Sequence, residues 1–153
     1  MPVLITGGSL LLCLVVGVSD GDTLSARCRA APDATPQTLR LRLAEIDAPE
    51  KAQAFGARSR AHLAALCFGR EAQVRAQALD RYGRTVARVR CGGVDANAEQ
   101  VRAGMAWVYE RYARDPELRD DQELARGERR GLWQDAGPVP PWEWRRQRRE
   151  VRG

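Results

Sequence analysis

Nine residues, Arg42-Leu43-Ala44-Glu45-Ile46-Asp47-Ala48-Pro49-Glu50, constrain this chain more than any others. Leu39, Leu41 and Leu43 alternate with Arg40, Arg42 and Ala44, the period of a strand with one face in a core. The pattern predicts a strand over Thr38–Ile46 with Arg42 aimed away from the leucines. Pro49 withdraws an N–H and fixes φ near −65°, so the strand must stop and the chain must turn. Asp47 and Glu50 flank that turn, and lone carboxylates are costly to bury. The outcome is a rigid corner at the end of a strand, carrying a guanidinium and two acids.

The rest of the chain reads as short strands and helices around that corner. Leu10–Val18 is an apolar run, predicted as a strand covered on both faces. Asp20-Gly21 signals a hairpin, with glycine free to take φ > 0, and Thr23–Arg29 returns as a second strand. Gln53 begins a helical pattern that Gly69 ends. Glu71–Leu79 and Thr85–Cys91 read as strands joined by Asp80-Arg81-Tyr82-Gly83-Arg84. Ala96–Ala103 is a short helix stopped by Gly104. Asp115-Pro116 supplies an N-cap followed by proline at the first helical position, opening a helix predicted to reach Arg130. Five strands with a helix after the third and helices at the end indicate an α+β fold: a five-stranded OB-fold barrel with about three helices packed on it. The predicted organisation is a lead-in over residues 1–9, which could be the remnant of a signal sequence, a barrel domain over 10–136 and a Pro/Trp/Arg-rich basic tail over 137–153.

A length of 153 residues suits one domain with a real core, and 44% hydrophobic with 29% charged residues is a globular balance. Net charge is +5, and of 25 Lys plus Arg only Lys51 is lysine. Guanidinium forks grip phosphate oxygens bidentately, although surface solvation alone explains many such charges. The four cysteines show no C-x-x-C and are accompanied by a single histidine, His62, which speaks against zinc. Cys67 and Cys91 can pair in an oxidising compartment; buried free thiols are the alternative. Leu10–Val16 has the length of a secretory apolar core but no basic residues before it and no cleavage pattern close behind, so it reads as a first strand. It is too short to cross a membrane.

Phosphodiester hydrolysis needs charge neutralisation on the phosphate, a positioned water and help for the leaving oxygen. Asp22 and Asp47, each at a strand end, are natural ligands for a hard divalent cation. Glu50, one turn past Asp47, is placed to accept a proton from water, and Arg42 and Arg84 to clamp the phosphate from two sides. Taken singly these features have ordinary meanings: Asp-Gly is a turn, an acid beside proline is a turn or a cap, and Arg after Tyr-Gly is a surface charge.

Together they form a pattern. Val18-Ser19-Asp20-Gly21-Asp22-Thr23-Leu24, then Arg42 to Glu50, then Asp80-Arg81-Tyr82-Gly83-Arg84 stand in the order and rough separation of the staphylococcal nuclease family, the thermonuclease-like domains. Val101-Arg102-Ala103-Gly104-Met105-Ala106-Trp107 resembles the segment after that family's last strand. Ala125-Arg126 through Gly131-Leu132-Trp133 resembles its closing helix. The resemblance runs from about Leu11 to Trp133. It implies an OB-fold, calcium-dependent endonuclease acting on DNA and RNA with little sequence preference and leaving 3′-phosphates. It implies Ca²⁺ ligation by the carboxylates of Asp22 and Asp47 and the backbone carbonyl of Ala48, with Asp20 near the metal but outside direct contact. It assigns Glu50 as general base, Arg42 and Arg84 as phosphate-binding arginines, and Tyr82, Tyr112 and Tyr109 as residues lining the nucleotide site.

The alternative is a catalytically silent barrel that keeps nucleic-acid or protein binding. Such domains typically lose the metal acids or the arginines, and here all are present. Single strands are the expected substrate form, because barrel grooves read them through backbone charge and stacking. A monomer is expected. Calcium and oxidised cysteines favour a periplasmic or secreted setting, whereas the poor signal-like segment allows a cytoplasmic one. The tail, with Arg145, Arg146, Arg148, Arg149 and Arg152, reads as a solvated extension or as a grip on nucleic-acid backbone.

Overall fold

The structure is a computed structural model that describes residues 8–152. The predicted lead-in over 1–9 therefore lies mostly outside the described residues.

Strand β1 (Ser9–Asp20) turns through Gly21 into β2 (Thr23–Arg29), which pairs antiparallel with β3 (Gln37–Leu43). A two-residue strand β4 (Ile46–Asp47) precedes helix α1 (Gly56–Cys67). Strands β5 (Glu71–Leu79) and β6 (Thr85–Cys91) form a hairpin, and β5 also pairs with β1. Strand β7 (Val94–Asp95) leads into helix α2 (Ala96–Arg102), and β8 (Trp107–Val108) pairs with β4. Helix α3 (Pro116–Gly127), a 3-10 turn over Gly131–Gln134 and helix α4 (Pro141–Arg152) complete the chain. The order β3-β2-β1-β5-β6 closes on itself because β3 and β6 also pair, in parallel through Leu41–Leu43 and Thr85–Ala87. This is a five-stranded mixed barrel of OB type with four helices packed on it, so the α+β expectation holds.

Period-2 alternation fills the barrel. Leu11, Cys13 and Val15 of β1, Leu24, Ala26 and Cys28 of β2, Leu41 and Leu43 of β3, Val74 and Ala76 of β5, and Ala87 and Val89 of β6 are all buried. Leu63 and Cys67 bring α1 into the same core, and Val101 and Leu118 bring α2 and α3. Each of the leucines and valines among them is worth on the order of 1.5–3 kcal/mol when removed from water. Disulfides join Cys13 to Cys28 across β1 and β2, and Cys67 of α1 to Cys91 of β6. The second pairing is the one the sequence allows; the first was not foreseen.

Four expectations need correction. Strand β1 is not covered on both faces: Leu11, Cys13 and Val15 point into the core, whereas the alternating Leu10, Leu12, Leu14 and Val16 are exposed. The third strand ends at Leu43 rather than Ile46, because Glu45 adopts a left-handed φ of 68° and swings β4 out of line. The helix expected to run to Arg130 ends at Gly127, with Arg129 at a φ of 54°. The basic tail is no solvated extension, since α4 makes a fourth helix against the barrel.

Candidate active site

Gly21 sits in the β1–β2 turn for a reason other than handedness, since it is not among the residues with positive φ. A Cβ there would drive into the Ser59 side chain of α1 and the Ala48 methyl group. Only glycine lets the turn lie on α1. Gln100 of α2 fastens it by donating to the Gly21 carbonyl at 2.7 Å and to the Ser59 carbonyl at 3.1 Å. His62 in turn hydrogen-bonds the Gln100 side-chain oxygen. The histidine is thus a support of the scaffold.

Held this way, Asp22 reaches the corner after β3. Its Oδ2 accepts from the Ala48 N–H at 2.8 Å and its Oδ1 from the Thr23 hydroxyl at 3.1 Å. Arg42 crosses the floor of the site. Its Nη1 donates to the carbonyls of Leu43 at 2.8 Å and Ile46 at 2.9 Å, and its Nη2 to Asp47 Oδ1 at 3.3 Å. Nη1 also lies 3.4 Å from Asp22 Oδ2. A guanidinium has five N–H groups, so these contacts leave Nε–H and one Nη2 hydrogen for a phosphate. Glu45 fixes the corner from behind: its carboxylate accepts from the backbone N–H groups of Arg114 and Asp115 and lies 3.6 Å from Arg88. Those contacts sustain the unusual φ.

The carboxyl groups do not titrate alike. Burial opposes ionisation of Asp22, but Arg42 and hydrogen bonds from Asp20, Ala48 and Thr23 outweigh it, and its pKa is lowered. Asp20 is pushed up to about 7, by burial first and then by the charge of Asp22 and the hydrogen bond the two share. Asp47 is also raised, chiefly by burial, in spite of the guanidinium groups beside it.

Across the cavity, Arg84 Nε donates to Asp80 Oδ2 at 2.7 Å, and Asp80 Oδ1 accepts from the backbone of Tyr82 and Arg84. The Asp80 loop thereby presents Arg84, whose guanidinium carbon stands 5.4 Å from the centre of the Tyr82 ring. Tyr109 and Tyr112 meet edge to face at 4.9 Å on a third side. All ten candidate residues, Asp20, Asp22, Arg42, Asp47, Ala48, Glu50, Tyr82, Arg84, Tyr109 and Tyr112, line one cavity of about 1040 Å³.

Sequence reasoning did not place in the site two side chains of α4 that touch its candidate residues directly. Trp142 stacks on Tyr109 with ring centres 5.2 Å apart and planes within 7°. Arg145 donates twice to Asp47, at 3.2 and 2.7 Å, and once to Glu50 Oε1 at 2.7 Å. The spacing of Trp142, Arg145 and Arg149 is that of one helix face, but nothing local says that this face meets the cavity, which all three line.

The donor set suits a hard divalent cation. Asp22 and Asp47 are buried, offer hard oxygens, and already hold the guanidinium groups of Arg42 and Arg145 against them. Among the described residues no cluster of three or more His, Cys, Asp or Glu side chains is gathered around one point. The Ala48 carbonyl, water and substrate oxygens would therefore complete a shell begun by two carboxylates.

A closed OB-type barrel whose open end gathers buried acids and arginines belongs to the class of barrels built to handle a phosphodiester. The staphylococcal nuclease homologue family matches residues 40–135. An uncharacterized endonuclease of Haemophilus influenzae is 42% identical over 135 residues, covering 88% of this chain and 73% of its own. A micrococcal nuclease of Shigella flexneri is 43% identical over 143 residues, 86% of this chain and 79% of its own. An uncharacterized endonuclease of Escherichia coli O157:H7 is 45% identical over 132 residues, 86% of this chain and 82% of its own. The chain belongs to the staphylococcal nuclease family and is by homology a nuclease. Among the described residues no helix is long and apolar enough to cross a membrane.

Proposed function

We propose that the protein is a calcium-dependent endonuclease hydrolysing phosphodiesters of DNA and RNA with little sequence preference, acting most readily on single strands. The observation that carries this reading is the convergence of Asp22, Asp47, Glu50, Arg42 and Arg84, from three separate corners of the barrel, on one cavity. Asp22, Asp47 and the Ala48 carbonyl would hold the cation, with Asp20 behind them. When bound, a hard divalent cation supplies charge neutralisation at the phosphate and lowers the pKa of a coordinated water.

The residues do the rest. Glu50 takes the proton of the attacking water, and Asp22 and Asp47 keep the negative charge that fixes the reaction centre. Arg42 offers the N–H groups left over from its backbone contacts to an equatorial phosphate oxygen. Arg84, with Nε committed to Asp80, turns its terminal nitrogens toward the phosphate and the departing oxygen. Tyr82, Tyr109 and Tyr112 offer faces for the sugar and base, which favours unpaired strands over duplex. Breaking the bond to O5′ leaves the 3′-phosphate. Two disulfides and a calcium requirement fit an extracytoplasmic enzyme.

The test is turnover of single-stranded DNA by the purified protein in Ca²⁺, with EDTA as control. Cleavage should stop in chelator. Glu50→Ala and Arg84→Ala should each lower kcat by about 10²-fold or more with the far-UV spectrum unchanged. Full activity in EDTA would remove the cation from the mechanism, and unchanged turnover in both variants would remove the assigned roles.

A further inference from the structure

Helix α4 lines one side of the cavity through Trp142, Arg145 and Arg149 and puts its own cation on the acids. The Arg145 fork takes both oxygens of Asp47 and reaches Glu50 Oε1 with the same Nη1. The helix is held for this at two further points. Trp142 stacks on Tyr109 and meets Trp107 edge-on at 5.8 Å, and Gln53, which accepts from the Glu50 N–H, donates to the Val139 carbonyl at 2.7 Å. A guanidinium fixed bidentately on Asp47 occupies the oxygens that a divalent cation would use and repels its charge, so the two positive groups compete for them.

We propose that α4 is a strap closing the site and that Arg145 competes with calcium for Asp47 and Glu50, so that cation binding must displace the guanidinium and loosen the helix. This rests on the reading of Asp22 and Asp47 as the calcium ligands. The strap sets the calcium concentration at which the enzyme becomes competent and leaves the acids neutralised below it. While seated, Arg145 has only Nε–H and one Nη2 hydrogen free, which makes it a guard of the acids rather than a phosphate ligand.

The experiment is calorimetric titration of calcium chloride into the full chain without substrate, with tryptophan fluorescence followed in parallel. The wild-type protein should bind one Ca²⁺, with an emission change as the Trp142–Tyr109 stack opens. Asp22→Asn, which Arg145 does not touch, should abolish binding. Arg145→Gln should bind about fivefold more tightly, the equivalent of a partly buried ion pair. Trp142→Leu, which weakens the docking of the helix but not the charge, should shift affinity the same way. Arg149→Gln removes an equal charge from the same helix without touching the acids and should change affinity less than twofold. If the wild-type protein binds no calcium, or Asp22→Asn binds normally, the site reading fails and the strap with it. If the site binds but Arg145→Gln is no tighter than wild type, or Arg149→Gln matches it, the strap alone is wrong.

Discussion

Asp20 carries the residue-scale consequence of crowding acids at the end of a strand. Burial and the neighbouring Asp22 push its pKa from 3.8 up to about 7. Between those values the folded protein holds a proton that the unfolded chain has released. The stability this proton contributes is fully present below about pH 4 and is lost as pH rises through 7. Asp47, also raised, acts with the same sign, whereas Asp22, lowered, acts with the opposite one. Asp20→Asn isolates the effect, because the amide keeps a donor for Asp22 without a charge. In EDTA, the variant's Tm should exceed that of wild type at pH 8 by an amount equivalent to on the order of 1–2 kcal/mol, and the gap should be clearly smaller at pH 5, closing only toward pH 4. A gap that is the same at both pH values would mean that Asp20 is ionised throughout.

At the scale of elements, the site depends on how turns are pressed against helices. The β1–β2 turn delivers Asp20 and Asp22, and it lies on α1 only because residue 21 lacks a side chain. Gly21→Ala should lower stability by about 2–3 kcal/mol in urea unfolding, the ordinary cost of overpacking, and should lose activity in folded protein because Asp22 is moved. A variant as stable and active as wild type would show that the turn has room. Strands β2, β5 and β6 were readable to the residue, because alternation and turn residues are local facts. The end of β3 was not, since Ala44 continued the alternation and glutamate is no turn signal. Glu45 is bent by partners about seventy positions downstream, the N–H groups of Arg114 and Asp115. Gly21 was correctly placed in a turn for the wrong reason, because its contact with Ser59 is tertiary. The same distinction divides the cavity. Its motif residues were legible as motifs, whereas Arg145 meets Asp47 across a separation of 98 residues that no local pattern encodes.

For the molecule as a whole, charge decides how a polyanion reaches the acids. A net charge of +5 is modest, but its distribution is not even, for Arg81, Arg84, Arg111, Arg114 and Arg149 all border the cavity that holds Asp22 and Asp47. The acids are compensated close at hand by Arg42 and Arg145. The rim therefore faces incoming nucleic acid as a positive ring around a partly compensated centre. Each phosphate that a rim arginine neutralises releases condensed counterions, and for single strands log K falls against log salt with a slope of about −0.7 per contact. Four to five rim contacts give a slope of about −3. Binding of a fluorescent oligonucleotide to the Glu50→Ala protein in Ca²⁺, followed by anisotropy from 50 to 300 mM salt, measures it. Arg149→Gln should make the slope shallower by about 0.7 and weaken binding alike for every sequence, since a backbone contact carries no base information. A slope near zero would assign binding to the tyrosine faces instead, and the rim arginines would then serve solubility rather than substrate capture.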